Sequence, residues 1–94
     1  MLTYSGAKAA LIASIRSIAK EYATSKVRFN CVSPSDVNTP MQGWLNEVGE
    51  RERNWSYPMG LGEVDDIASI IIFLLSDKAK WIAAQNYVVD CGVM

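Results

Sequence analysis

Apolar residues recur at Leu11, Ile15, Ile18 and Tyr22, in steps of four, three and four, through a stretch with no proline and only one glycine. That spacing keeps the four side chains on one face and predicts an amphipathic helix over about 4–24. A second face carries Gly6, Ala10, Ala13 and Ser17, small residues that let another helix come close. The pattern changes at Val27 to Ser33, which is apolar at Val27, Phe29, Cys31 and Val32 and is stopped by Pro34. It reads as a short strand over 27–33 that leads into a loop over 34–39.

Thr39-Pro40-Met41-Gln42 has the form of a helix start, with Thr39 as cap, proline at the first helical position and Gln42 placed to close a capping box. Met41, Trp44, Leu45 and Val48 form the apolar stripe of this helix, predicted over 40–53. Glu50 to Arg53 reads as its solvated face. Pro58, Gly60 and Gly62 mark the next loop. A helix over 63–75 follows, with Glu63, Asp65 and Asp66 in its first turn, where exposed N–H groups favour negative charge. Val64, Ile67, Ala68, Ile71, Ile72 and Leu75 form its stripe, and Ile70, Phe73 and Leu74 make the other faces apolar too. A helix apolar all round needs cover on both sides. Asn86 to Asp90 reads as a last strand over 86–90.

Helix, strand, helices, strand is the order of a right-handed crossover joining two parallel strands, which places the chain in the α/β class. Parallel strands of continuous apolar sequence need both faces covered and further strands beside them. The chain has too few elements for that, so residues 1–94 read as a single partial domain. At 94 residues, half of them hydrophobic, the composition is globular, and folding in isolation is marginal because only about 60 to 65% of the unfolded surface can be buried.

Charge narrows the partners. Residues 1–28 carry Lys8, Arg16, Lys20, Lys26 and Arg28 against Glu21 alone, which leaves the remainder at −5 within a total of −1. The positive charges are dispersed rather than striped, which argues against a nucleic-acid surface. Cys31 and Cys91 lie in apolar contexts with no histidine anywhere in the chain, so no metal site is expected and free thiols in a reducing compartment are. The longest apolar stretch, Ile67 to Leu75, is far short of the roughly 20 residues of a membrane span. No basic segment followed by an apolar run opens the chain. A cytoplasmic protein that neither spans nor binds a membrane is the expectation.

Tyr4 and Lys8 stand four apart on the first helix and share a face, with Cβ atoms about 5 to 6 Å apart. An ammonium one turn from a phenol favours the phenolate and suits the phenol to exchange a proton with a carbonyl or alcohol oxygen. A pair at this spacing arises by chance in about one chain in six of this length, so its company decides its weight.

Tyr4-Ser5-Gly6-Ala7-Lys8-Ala9-Ala10-Leu11 resembles the active-site helix of the short-chain dehydrogenase/reductase family. Val27 to Met41, with Pro34, Val37 and Thr39, is similar to that family's next strand and the loop beside the nicotinamide. Gly62 to Asp77 and Gln85 to Gly92 resemble its penultimate helix and last strand. The three blocks, in order, cover nearly all of the chain.

The resemblance implies the C-terminal part of a Rossmann-like doubly wound parallel sheet and an NAD- or NADP-dependent oxidoreductase that interconverts a carbonyl and an alcohol on a small molecule. Tyr4 would be the catalytic acid/base and also contact the cofactor, and Lys8 would assist it and hydrogen-bond the nicotinamide ribose. The backbone of Val37 and the hydroxyl of Thr39 would hold the carboxamide in a loop shaped by Pro34. For Met41 and Trp44, core packing and substrate contact stand as equal alternatives. The family builds subunit interfaces from the active-site helix and from the last helix and strand, which implies a homo-oligomer or association with a complete subunit. A non-catalytic oligomerisation module is the alternative function.

The chain departs from the pattern at Ser35, Ala83-Ala84 and Cys91, where the family usually has glycine. Ser35 is expected to restrict the backbone where the cofactor approaches. No Gly-x-x-x-Gly-x-Gly turn stands before Tyr4, and the family's catalytic serine and asparagine lie upstream of that tyrosine, so the 94 residues alone are expected to catalyse nothing. The choice between NAD and NADP stays open.

Overall fold

A computed structural model of the chain describes residues 2–35, 37 and 59–92. Helix α1 spans Leu2–Tyr22 and runs into a 3-10 turn, Ala23–Ser25. Strand β1 is Cys31–Pro34, helix α2 is Val64–Leu75, a second 3-10 turn is Asp77–Ala79, and strand β2 is Asn86–Val89. The two strands are neighbours in one sheet. Cys31 N–H donates to the Gln85 carbonyl at 2.8 Å and Ser35 N–H to that of Val89 at 3.2 Å. Both partners advance by four residues in the same sense, which makes the pair parallel. The predicted helix over 40–53 lies outside the described residues. The chain divides into two compact units, one of residues 1–31 with 73–87 and one of residues 32–72 with 88–94.

In the first unit, Ile12, Ile15 and Ile18 are half-buried and Ala19 is buried at 3% exposure, while Leu11 and Tyr22 are exposed. The inward stripe therefore shares Ile15 and Ile18 with the predicted one but is rotated towards Ile12 and Ala19. Steps of three join Ile12, Ile15 and Ile18, and a step of four joins Ile15 to Ala19. The helix stops where Lys26 takes a left-handed conformation, φ 59° and ψ 32°, and donates its N–H to the Ala23 carbonyl at 3.0 Å. That turns the chain so that the rings of Tyr22 and Phe29 meet at 5.8 Å and 51°, an aromatic pair within the favourable range.

The ladder begins at Cys31 rather than at the expected Val27; before it, Ala84 N–H donates to the Phe29 carbonyl at 2.8 Å, and side chains make further cross-connections. Arg28 donates from Nη2 to the Leu74 carbonyl at 2.7 Å and from Nη1 to that of Ile82 at 3.1 Å. Asn30 donates from Nδ2 to the same Ile82 carbonyl at 3.0 Å, and its Oδ1 accepts the Gln85 N–H at 3.1 Å. The last turn of α2 and the segment before β2 are thus tied to the approach of β1. Leu74 and Ala79 are buried.

In the second unit, α2 opens with a capping arrangement in which Glu63 N–H donates to Asp66 Oδ2 at 2.7 Å. This satisfies one of the N–H groups a helix start leaves unpaired. Val37 pairs with Gly62 in a single parallel bridge, which fixes the loop after β1 against the entry to α2. Among the described residues, Val64, Ile71 and Ile72 remain exposed, so the cover expected for this all-round apolar helix is not supplied by them.

Two of the departures from the family pattern fall at left-handed backbone: Ala84 has φ 60° and Cys91 has φ 61°. A Cβ there meets the neighbouring carbonyl, at about 1 to 2 kcal/mol per residue. Ala84→Gly and Cys91→Gly are therefore each expected to raise unfolding stability by about 1 kcal/mol, after the entropy glycine returns to the unfolded chain is subtracted. Thermal unfolding of each variant measures it, and an unchanged or lower Tm would contradict the strain. Ser35 is not left-handed, so serine costs no backbone strain there, and the expected restriction is not one of φ.

Candidate functional site

Two features are candidates for function, a side-chain pair in the first unit and a cavity in the second. On α1, Lys8 Nζ sits 5.5 Å from the centroid of the Tyr4 ring, within reach of a cation–π attraction. Tyr4 is 58% exposed, and Lys8 is exposed beside it. The helix makes this pair: residues four apart stand one above the other, and the long lysine side chain reaches back one turn. The phenol and the ammonium are thus adjacent and open to a ligand.

In the second unit, a cavity of about 310 Å³ opens at the carboxyl ends of both strands. Ser35 and Val37 line it after β1, Asp90 and Cys91 after β2, the turn 59–62 along one side, and Asp66 and Ile67 from α2. Asp90 is buried, and its Oδ1 accepts the Gly92 N–H at 2.9 Å. Pro34 shares a shallower apolar depression of about 330 Å³ with Val37 and the α2 residues Val64, Ile67, Ala68 and Ile71. The carboxyl ends of parallel strands are where open α/β sheets bind ligands.

Of the residues singled out in the sequence, Tyr4 and Lys8 are brought together in the first unit, and Pro34 and Val37 in the second. Thr39, Met41 and Trp44 lie outside the described residues. The cavity residues Met59, Leu61, Asp90 and Cys91 were not legible as site residues. The only signal for them was their position just after a strand or among the loop glycines. Among the described residues, no group of three or more His, Cys, Asp or Glu side chains is arranged to hold a metal ion, and no helix is long and apolar enough to cross a membrane.

Known proteins resemble the chain over nearly its whole length. A family model described as enoyl-(acyl carrier protein) reductase matches residues 1–94. The chain is 38% identical over 91 residues to 3-oxoacyl-[acyl-carrier-protein] reductase FabG of Chlamydia pneumoniae, covering 96% of this chain and 37% of that one. The crystal structure of YwfH, an NADPH-dependent reductase involved in bacilysin biosynthesis, superposes with a TM-score of 0.92 at 27% identity, over 100% of this chain and 40% of that one. A 4-hydroxyisoleucine dehydrogenase complexed with NADH gives a TM-score of 0.86 at 29% identity, over 97% and 39%.

These relatives are dehydrogenases and reductases built on a Rossmann-like sheet. The chain belongs to the short-chain dehydrogenase/reductase family, and its two parallel strands and helices are part of that family's fold. It spans about two-fifths of the length of the relatives it matches.

Proposed function

We propose that residues 1–94 are the C-terminal portion, one partial domain, of an NAD(P)-dependent oxidoreductase that interconverts a carbonyl and an alcohol on a small molecule. The observation that carries this is the exposed Tyr4–Lys8 pair, one helical turn apart with Nζ 5.5 Å from the ring, within a family match over the whole chain. When bound, the nicotinamide would supply or take the hydride. Tyr4 Oη gives a proton to the carbonyl oxygen in reduction and takes one from the alcohol in oxidation. Lys8 holds its ammonium beside the phenol, offsets negative charge on that oxygen, and has further N–H donors for a ribose hydroxyl.

Exposure of both side chains suits them to a ribose and a substrate oxygen at once. Pro34 ends β1, and in the loop beyond it the Val37 backbone and the Thr39 hydroxyl would hold the carboxamide. Residues 1–94 contain no Gly-x-x-x-Gly-x-Gly turn. In this reading the pyrophosphate is held by the part of the relatives' length that this chain does not span. The free thiols of Cys31 and Cys91 suit a reducing, cytoplasmic setting.

A second reading, a non-catalytic association module, draws on the exposed Ile72, Leu75 and Val88, apolar surface that suits a subunit interface. The two part in one experiment on the protein as its gene encodes it. NAD(P)H oxidation is followed with a panel of ketones and aldehydes, for the natural protein and for Lys8→Met. The proposal expects turnover, with kcat/KM reduced about a hundredfold or more in the variant. Absence of turnover with both cofactors, or a variant as active as the natural protein, would favour the association module.

A further inference from the structure

We propose that the cavity at the strand ends receives the uncharged, apolar end of the substrate, and that Cys91 sets the size it accepts; this rests on the oxidoreductase reading above. Three observations lead to it. The cavity of about 310 Å³ lies at the carboxyl ends of both strands and includes Val37, the residue whose backbone that reading places at the nicotinamide. Most of its side-chain wall is apolar, from Val37, Met59, Leu61, Ile67 and Cys91, and Met59, 81% exposed, is a flexible chain able to fold over a bound alkyl group. Among the described residues its charged lining consists of two carboxylates, Asp66 and Asp90.

Both carboxylates are engaged by backbone N–H groups, from Glu63 at 2.7 Å and from Gly92 at 2.9 Å. They are structural anions, held in place whatever enters. The start of α2 contributes about half a positive charge, which does not balance two carboxylates with Glu63 and Asp65 beside them. A carboxylate or phosphate on the substrate's far end would meet like charge, whereas an alkyl or aryl end gains from burial. Cys91 lines the end of this cavity just after β2, where glycine in its place would remove the –CH2–SH group and widen the space.

The test uses the protein as its gene encodes it and a ladder of aliphatic ketones, each paired with the keto acid of equal chain length. The expected result is a kcat/KM at least about tenfold higher for each ketone than for its keto acid. In Cys91→Gly, the ratio of long-chain to short-chain kcat/KM should rise about tenfold. Equal or better turnover of the keto acids would overturn the proposal, as would a chain-length ratio unmoved by Cys91→Gly. Absence of any NAD(P)H-dependent turnover would defeat the oxidoreductase reading itself, a different outcome from turnover without discrimination. Loss of fold does not confuse the variant, since glycine relieves the left-handed backbone at this position.

Discussion

Tyr4→Phe lowers kcat about a thousandfold in the protein as its gene encodes it, while the affinity for NAD(P)H falls by no more than about tenfold, the scale of one hydrogen bond to the ribose. The substitution removes one oxygen and leaves the ring, so the ammonium of Lys8 keeps its aromatic neighbour 5.5 Å away and the packing of α1 is undisturbed. What is lost is the proton donor. Positioned acid–base groups contribute about 10² to 10⁴ in rate, and a thousandfold corresponds to about 4 kcal/mol of transition-state stabilisation. Steady-state kinetics together with a cofactor titration separates this from a binding defect. A variant with natural kcat would remove Tyr4 from the chemistry.

Arg28→Ala destabilises the fold by about 3 kcal/mol, the largest stability effect expected of any single side chain described here. Its guanidinium makes two hydrogen bonds, to the Leu74 and Ile82 carbonyls. Bonds to charged groups contribute about 1.5 to 3 kcal/mol each, and alanine takes from the Leu74 carbonyl its side-chain donor, while that of Ile82 keeps Asn30 Nδ2. Arg28→Lys recovers only part of the loss, because a single ammonium cannot span two carbonyls with the fixed fork of a guanidinium. Denaturant unfolding measures both variants, and a loss below about 0.5 kcal/mol for Arg28→Ala, the scale of an ordinary surface change, would contradict the role given to these bonds.

Periodicity revealed α1 but not its phase. Isoleucines and alanines occupy neighbouring helical positions, and hydropathy favoured Leu11 and Tyr22 over the smaller Ala19, which is the buried one. The start of β1 was misread because Arg28 and Asn30 look like ordinary outward-facing strand residues. Their side chains instead bond the Leu74 and Ile82 carbonyls and the Gln85 N–H, a tertiary arrangement with no local signature. Both ends of α2 were readable to within a residue, since acids before an apolar run announce a helix start through simple electrostatics.

The candidate site was legible in one part only. Tyr4 and Lys8 depend on nothing more than helical spacing. The cavity is assembled from four separate segments that only the fold brings together, so Met59, Leu61, Asp90 and Cys91 carried no pattern of their own. Ala84 and Cys91 were visible as departures from glycine, but their cost became evident only with φ near +60° at both. Thr39 and the expected helix over 40–53 lie outside the described residues.

A crystal structure of the protein as its gene encodes it, grown with NAD or NADP, tests the central claim most directly. The account predicts that Tyr4 Oη and Lys8 Nζ both lie within hydrogen-bond reach, about 2.7 to 3.2 Å, of the nicotinamide ribose hydroxyls. A nicotinamide ribose bound away from both side chains would contradict it.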